Sequence, residues 1–141
     1  MYQFIFYGKL TNLNEAVGMA KRSPFVYSKM KKEADDAIRK AIRKQIGGLR
    51  VGSKPFILLC QWHIPATKNG HVRSDPDNVA SAVKYVLDAM QPLRKKIGGK
   101  MVTVEPGIID NDGFENVREI RHTFSRSDTG KHYAKFTITT V

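Results

Sequence analysis

The chain has 141 residues, 24 Lys and Arg against 13 Asp and Glu, and a net charge of +11, with 41% hydrophobic and 26% charged residues. That balance suits one globular domain over residues 1–141 with a buried core, and it excludes a disordered chain. The longest apolar run, residues 56–60, is far too short to span a bilayer, and no charged n-region or cleavage site marks a signal peptide; with Cys60 as the only cysteine, a reducing cytoplasm is expected.

In chain order, residues 2–7 are aromatic and β-prone and predict a strand. Residues 8–27 hold Gly8, Gly18 and Pro24 and read as a structured loop. Over residues 28–46, Met30, Ala34, Ala37, Ile38, Ala41, Ile42 and Ile46 recur at helical spacing, and Gly47-Gly48 ends the helix. Lys32, Arg39 and Arg43 form a basic stripe on its other side, either a solvated face or a DNA contact. Residues 55–65 are apolar on both faces at their start, the pattern of a strand in the middle of a sheet. A polar loop, 66–74, then carries Lys68 and Arg73. A helix is expected over about 77–92, followed by the basic segment Arg94-Lys95-Lys96 and a short strand over 101–104. The C-terminus reads as a hairpin, 117–124 with 133–141, turning around Asp128-Thr129-Gly130.

The positive charge favours a polyanion as partner. No segment joins bulky apolar anchors to basic residues, so a membrane surface fits less well than nucleic acid. Against this basic background, Asp75-Pro76-Asp77-Asn78 and Asp110-Asn111-Asp112-Gly113 concentrate four of the carboxylates. Pro76 suits the first turn of a helix, and Asp75 or Asp77 is a possible cap. A cap needs only one such residue, however, and in an extended entry segment positions i and i+2 point the same way. Neighbouring carboxylates repel, and a bound cation relieves the repulsion. Asp110-Asn111-Asp112-Gly113 equally has the composition of a turn.

Along the 77–92 helix, Val79, Ala82, Val83, Val86, Leu87 and Met90 cover one face and are expected in the core. On an unbroken helix, Asp77, Ser81, Lys84 and Asp88 fall within about 60° of one another on the opposite side. Lys84 and Asp88 then form an exposed i, i+4 pair, which periodicity alone favours. The alternative sets the Lys84 ammonium beside a metal-bound phosphate. Clustered hard oxygens suit Mg²⁺ or Mn²⁺ better than Zn²⁺, and the four histidines make no zinc signature. No EF-hand, P-loop or Gly-x-Ser-x-Gly motif is present.

At these residues the chain resembles the RusA family of Holliday junction resolvases of bacteria, prophages and phages. The shared pattern is Asp75-Pro76-Asp77-Asn78, then Lys84, then Val86-Leu87-Asp88-Ala89-Met90, then Gly107-Ile108-Ile109-Asp110-Asn111-Asp112. The resemblance is specific over residues 73–117 and compatible elsewhere. It implies an α+β fold, a small mixed sheet packed with two main helices, in a homodimer. It also implies a cytoplasmic, phage- or prophage-type enzyme that resolves four-way DNA junctions with Mg²⁺ by paired symmetric nicks, in recombination and repair. Direct hydrolysis would leave a 5′-phosphate and a 3′-hydroxyl. Carried over residue by residue, Asp75, Asp77 and Asp112 are the metal-binding carboxylates, with Asp110 the alternative to Asp112, and Lys84 is the catalytic lysine. Lys68 and Arg73 are expected at backbone phosphates. Two other readings fit the composition: a Mg²⁺ nuclease for flaps or forks, and a non-catalytic basic DNA-binding protein whose aspartates cap a helix.

Overall fold

The computed structural model describes residues 1–67 and 75–141. Strand β1 (Tyr2–Tyr7) leads to helices α1 (Leu13–Arg22) and α2 (Pro24–Ile46), and β2 (Phe56–Ile64) follows. Helices α3 (Pro76–Ala80) and α4 (Val83–Met90) precede β3 (Leu93–Ile97), β4 (Lys100–Glu105), β5 (Val117–Arg126) and β6 (Tyr133–Thr140). The result is an α+β fold on a mixed sheet.

The sheet runs β1-β6-β2-β5, with β6 antiparallel to both neighbours and β2 parallel to β5. Period-two alternation decides which side chains go inside. Phe56, Leu58, Cys60, Trp62 and Ile64 of β2 are buried, as are Phe4 of β1 and Ala134, Phe136 and Ile138 of β6. All but Ile64 form one core with Ile38 and Ile42 of α2 and Val86, Leu87 and Met90 of α4. The expected middle strand is therefore β2, flanked on both sides. The expected apolar helix face is also in place, with Val79 and Val83 packed against the core and Ala82 inside it.

Two expectations fail for identifiable reasons. Residues 8–27 are not a loop. Asn12 accepts from the Glu15 N–H while the Glu15 side chain accepts from the Asn12 N–H, a capping box that starts α1. Ser23 then caps α2 through the Phe25 N–H, with Pro24 in the first turn, so α2 begins before residue 28.

The C-terminal segments are not a hairpin, because β2 lies between β5 and β6. An apolar strand needs partners on both edges. The largely exposed β5 is suited to the outside of the sheet. The connection crosses the end of β2, where the Ser127 N–H donates to the Ile64 carbonyl.

The basic segment after α4 is itself a strand, β3, paired with β4. Gly98 and Gly99 both have positive φ, +59° and +82°, which a two-residue I′ turn requires.

The opposite sheet edge is covered at one position. Gln45 of α2 donates to the Ile5 carbonyl and accepts from its N–H, so one side chain occupies the outer hydrogen-bonding groups of β1 there.

Candidate metal and nucleic-acid site

Asp75 is the N-cap residue of α3 by position, yet its side chain makes no capping hydrogen bond. Asp77 follows in the first turn. Both are exposed, and neither carboxylate has a hydrogen bond or ion pair among the described residues. Helix capping therefore does not occupy the Asp75 carboxylate, and among the described residues neither acid has a partner that would keep it from acting as a ligand.

The helix behind them is not continuous. Ser81 and Ala82 form a tighter turn with i→i+3 bonds, from Ala82 N–H to the Val79 carbonyl and from Tyr85 N–H to the Ala82 carbonyl. This turn changes the helical phase between Asp77 and Lys84, and the single polar stripe expected for an unbroken helix is lost. Ser81 is half-buried and its hydroxyl donates to the Asn78 carbonyl. Lys84 is exposed near the start of α4, while Asp88 is half-buried beside Lys31, Lys32, Asp35 and Tyr85. Lys84 and Asp88 do not form the expected ion pair: no ion pair among the described residues joins them. Asp77 and Lys84 belong to different helices, joined by the turn at Ser81 and Ala82.

The second acidic pair lies elsewhere. Ile108 and Ile109 donate to the Met90 carbonyl at the C-terminal end of α4, and the Asp110 N–H donates to the Gly52 carbonyl. Val79 of α3 lies beside Ile64, while Met90 at the end of α4 accepts from Ile108 and Ile109. Asp110 and Asp112 thus sit at the Phe56 end of β2, whereas α3 begins beyond its Ile64 end. One chain does not bring Asp112 to Asp75 and Asp77. Among the described residues, no three His, Cys, Asp or Glu side chains gather to hold a metal.

The turn also separates Asp110 from Asp112. Arg50 ion-pairs with Asp110 and donates to the Pro106 and Gly107 carbonyls. Asn111 accepts from the Gly113 N–H, and buried Asn116 accepts from the Asn111 N–H, which fixes the loop. The Asp112 carboxylate is exposed and has no partner among the described residues.

The basic stripe does not form one face. Lys32 is exposed, but Arg39 is only 6% exposed. Its guanidinium bonds Asp35 at 2.7 Å, the Gln91 carbonyl at 2.7 Å and the Asp88 carbonyl at 3.1 Å. Arg39 therefore closes the C-terminal end of α4 against α2, contrary to its expected place beside Lys32 and Arg43. Its spacing could not distinguish this, because the partners are backbone carbonyls some fifty positions away. Arg43 is about half-exposed and pairs with Glu105. Lys68 and Arg73 lie outside the described residues.

Compared with known proteins, the chain matches no family model and no curated protein.

Proposed function

We propose that this chain is a Mg²⁺-dependent endonuclease that cuts branched DNA, with four-way junctions as the substrate that its RusA-like pattern implies. One observation carries the reading. In a chain of net charge +11, Asp75 and Asp77 stand exposed at a helix start that uses neither carboxylate as a cap.

Two free carboxylates fit Mg²⁺, which typically takes one or two protein carboxylates and fills its remaining positions with water and substrate phosphate. When bound there, the metal supplies Lewis-acid polarisation of the scissile phosphate and a more acidic water. Asp75 and Asp77 hold it, and exposed Lys84 offers its ammonium to the charge that develops on the phosphoryl oxygens. The net positive charge holds the DNA through its backbone.

Asp112, free where Asp110 is paired with Arg50, is the third carboxylate of this reading. Placed at the opposite end of β2, it cannot serve the Asp75–Asp77 pair of its own chain. It joins that pair from a second copy, and the homodimer implied by the resemblance becomes a requirement of the site. A two-fold dimer then carries two such sites, suited to paired nicks in a symmetric junction.

Asp77→Asn tests the reading directly. Mg²⁺-dependent nicking of a synthetic four-way junction is expected to fall by more than about 100-fold, beyond the effect of disturbing only an outer-shell partner. Junction binding should persist or tighten as repulsion of phosphate decreases. Undiminished cutting by Asp77→Asn would refute the metal site. Absence of Mg²⁺-dependent nicking by the unmutated chain on junction, flap and linear duplex alike would favour the binding-only alternative.

A further inference from the structure

We propose that the β3–β4 ribbon is a nucleic-acid arm that enters a duplex groove and neutralises backbone phosphates; this rests on the DNA reading above and adds a contact surface to it. The ribbon's root is fixed. Glu105 pairs with Arg43, Arg50 binds the Pro106 and Gly107 carbonyls, and Gly107 lies against the backbone of Met90 and Gln91. Beyond that root, no helix or strand among the described residues packs broadly on β3 or β4. A two-stranded ribbon is marginal in water without a surface to lie on.

Its chemistry indicates what that surface is. Arg94, Lys95, Lys96 and Lys100 are all exposed, and none has a carboxylate partner among the described residues. The register pairs Arg94 with Thr103, Lys95 with Val102, Lys96 with Met101 and Ile97 with Lys100. Directly opposed residues share a face, and successive pairs alternate faces. One face therefore carries Arg94 and Lys96, and the other Lys95 and Lys100. Each cation stands opposite an uncharged residue, so neither face is a purely apolar one that could insert into lipid. A ribbon with cations on both faces instead matches a groove walled by phosphates on both sides. The major groove of duplex DNA, about 12 Å wide, admits a two-stranded ribbon. Met101 at 65% exposed and Ile97 at 59% exposed supply apolar contact near its tip.

The test uses the full chain with Arg94→Gln, Lys95→Gln, Lys96→Gln and Lys100→Gln combined. A second, charge-keeping variant carries Arg94→Lys, Lys95→Arg, Lys96→Arg and Lys100→Arg. Fluorescence anisotropy follows binding to a labelled four-way junction and to a linear duplex across a salt series, and sedimentation reports the mass of each protein. The neutral variant should lose about 3.6 from the magnitude of the log–log salt slope, about 0.9 per phosphate contact. Between roughly 50 and 200 mM salt, that makes its loss of affinity about 150-fold smaller than that of the unmutated chain. The charge-keeping variant should retain the slope. An unchanged slope in the neutral variant overturns the arm and leaves the nuclease reading intact. A slope lost together with a halving of the sedimenting mass also overturns it, because the ribbon then holds subunits together. If the unmutated chain binds neither DNA, the DNA reading fails and the arm fails with it.

Discussion

Trp62 donates from Nε1 to Nδ1 of His122 at 2.9 Å, and their rings stack with centroids 6.2 Å apart. That bond needs a neutral imidazole as acceptor. Burial pushes the His122 pKa below its ordinary 6.5, because desolvation disfavours the charged ring. In the unfolded chain the ring protonates at the ordinary value, so stability is complete above about pH 6.5 and declines as pH falls below it. Trp62 is the sole tryptophan, and its emission should change with a midpoint below the ordinary imidazole value. Removing the ring with His122→Gln should abolish that change, and a flat emission profile in the unmutated chain would count against the coupling. Burial likewise pushes the Cys60 thiol up to about 12. At this scale the sequence was legible where a residue's role is local. Asp75 and Asp77 could be picked out by type, spacing and scarcity. Arg39 could not, because its role is set by the Asp88 and Gln91 carbonyls that folding brings to it.

Elements were readable in proportion to how local their signals are. Strand β2 and the apolar face of α3 and α4 followed from periodicity. The capping box at Asn12 and Glu15 and the Ser23-Pro24 start of α2 were also present in the sequence, although glycines and a proline made residues 8–27 look like a loop. The break at Ser81 and Ala82 is different in kind, since neither residue breaks a helix by propensity. At the end of α4, Gly107 has φ +72°, and an added Cβ would lie 2.5 Å from the Gln91 carbonyl carbon and 2.6 Å from the Met90 oxygen. Gly107→Ala therefore combines left-handed strain with a backbone clash and should cost about 3 kcal/mol. Thermal unfolding should show Tm lowered by about 10 °C. Gly98→Ala, where φ is also positive but the space is open, should cost only about 1 kcal/mol. Equal losses at the two positions would show that the packing of Gly107 on α4 contributes nothing.

For the whole molecule, the decisive feature is the distance between its two acidic pairs. Because α3 and α4 return alongside β2 before β5 begins, Asp75 and Asp77 lie at one end of the sheet and Asp112 at the other. A site using both draws on two copies, which makes an unusual outcome testable. Asp77→Asn alone and Asp112→Asn alone should each be inactive on a four-way junction, and mixing them should restore Mg²⁺-dependent nicking to about a quarter of normal under random exchange between two-fold dimers. Mixtures that stay inactive after exchange would rule out a site shared between subunits.

The amino-acid sequence by itself determined the basic charge, the apolar faces and the two acidic motifs, since composition and period are properties of neighbouring residues. It also set the longest apolar run, residues 56–60, far below the length of a membrane span, and no helix among the described residues is long and apolar enough to cross one. Only the tertiary structure decided that β5 pairs with β2 instead of β6, that Arg39 is buried, and that the β3–β4 ribbon stands clear of the core. It alone set Asp112 at the opposite end from Asp75 and Asp77. These outcomes depend on contacts between residues far apart in the chain, where strands compete for edges and buried cations for carbonyls, and no local spacing encodes them.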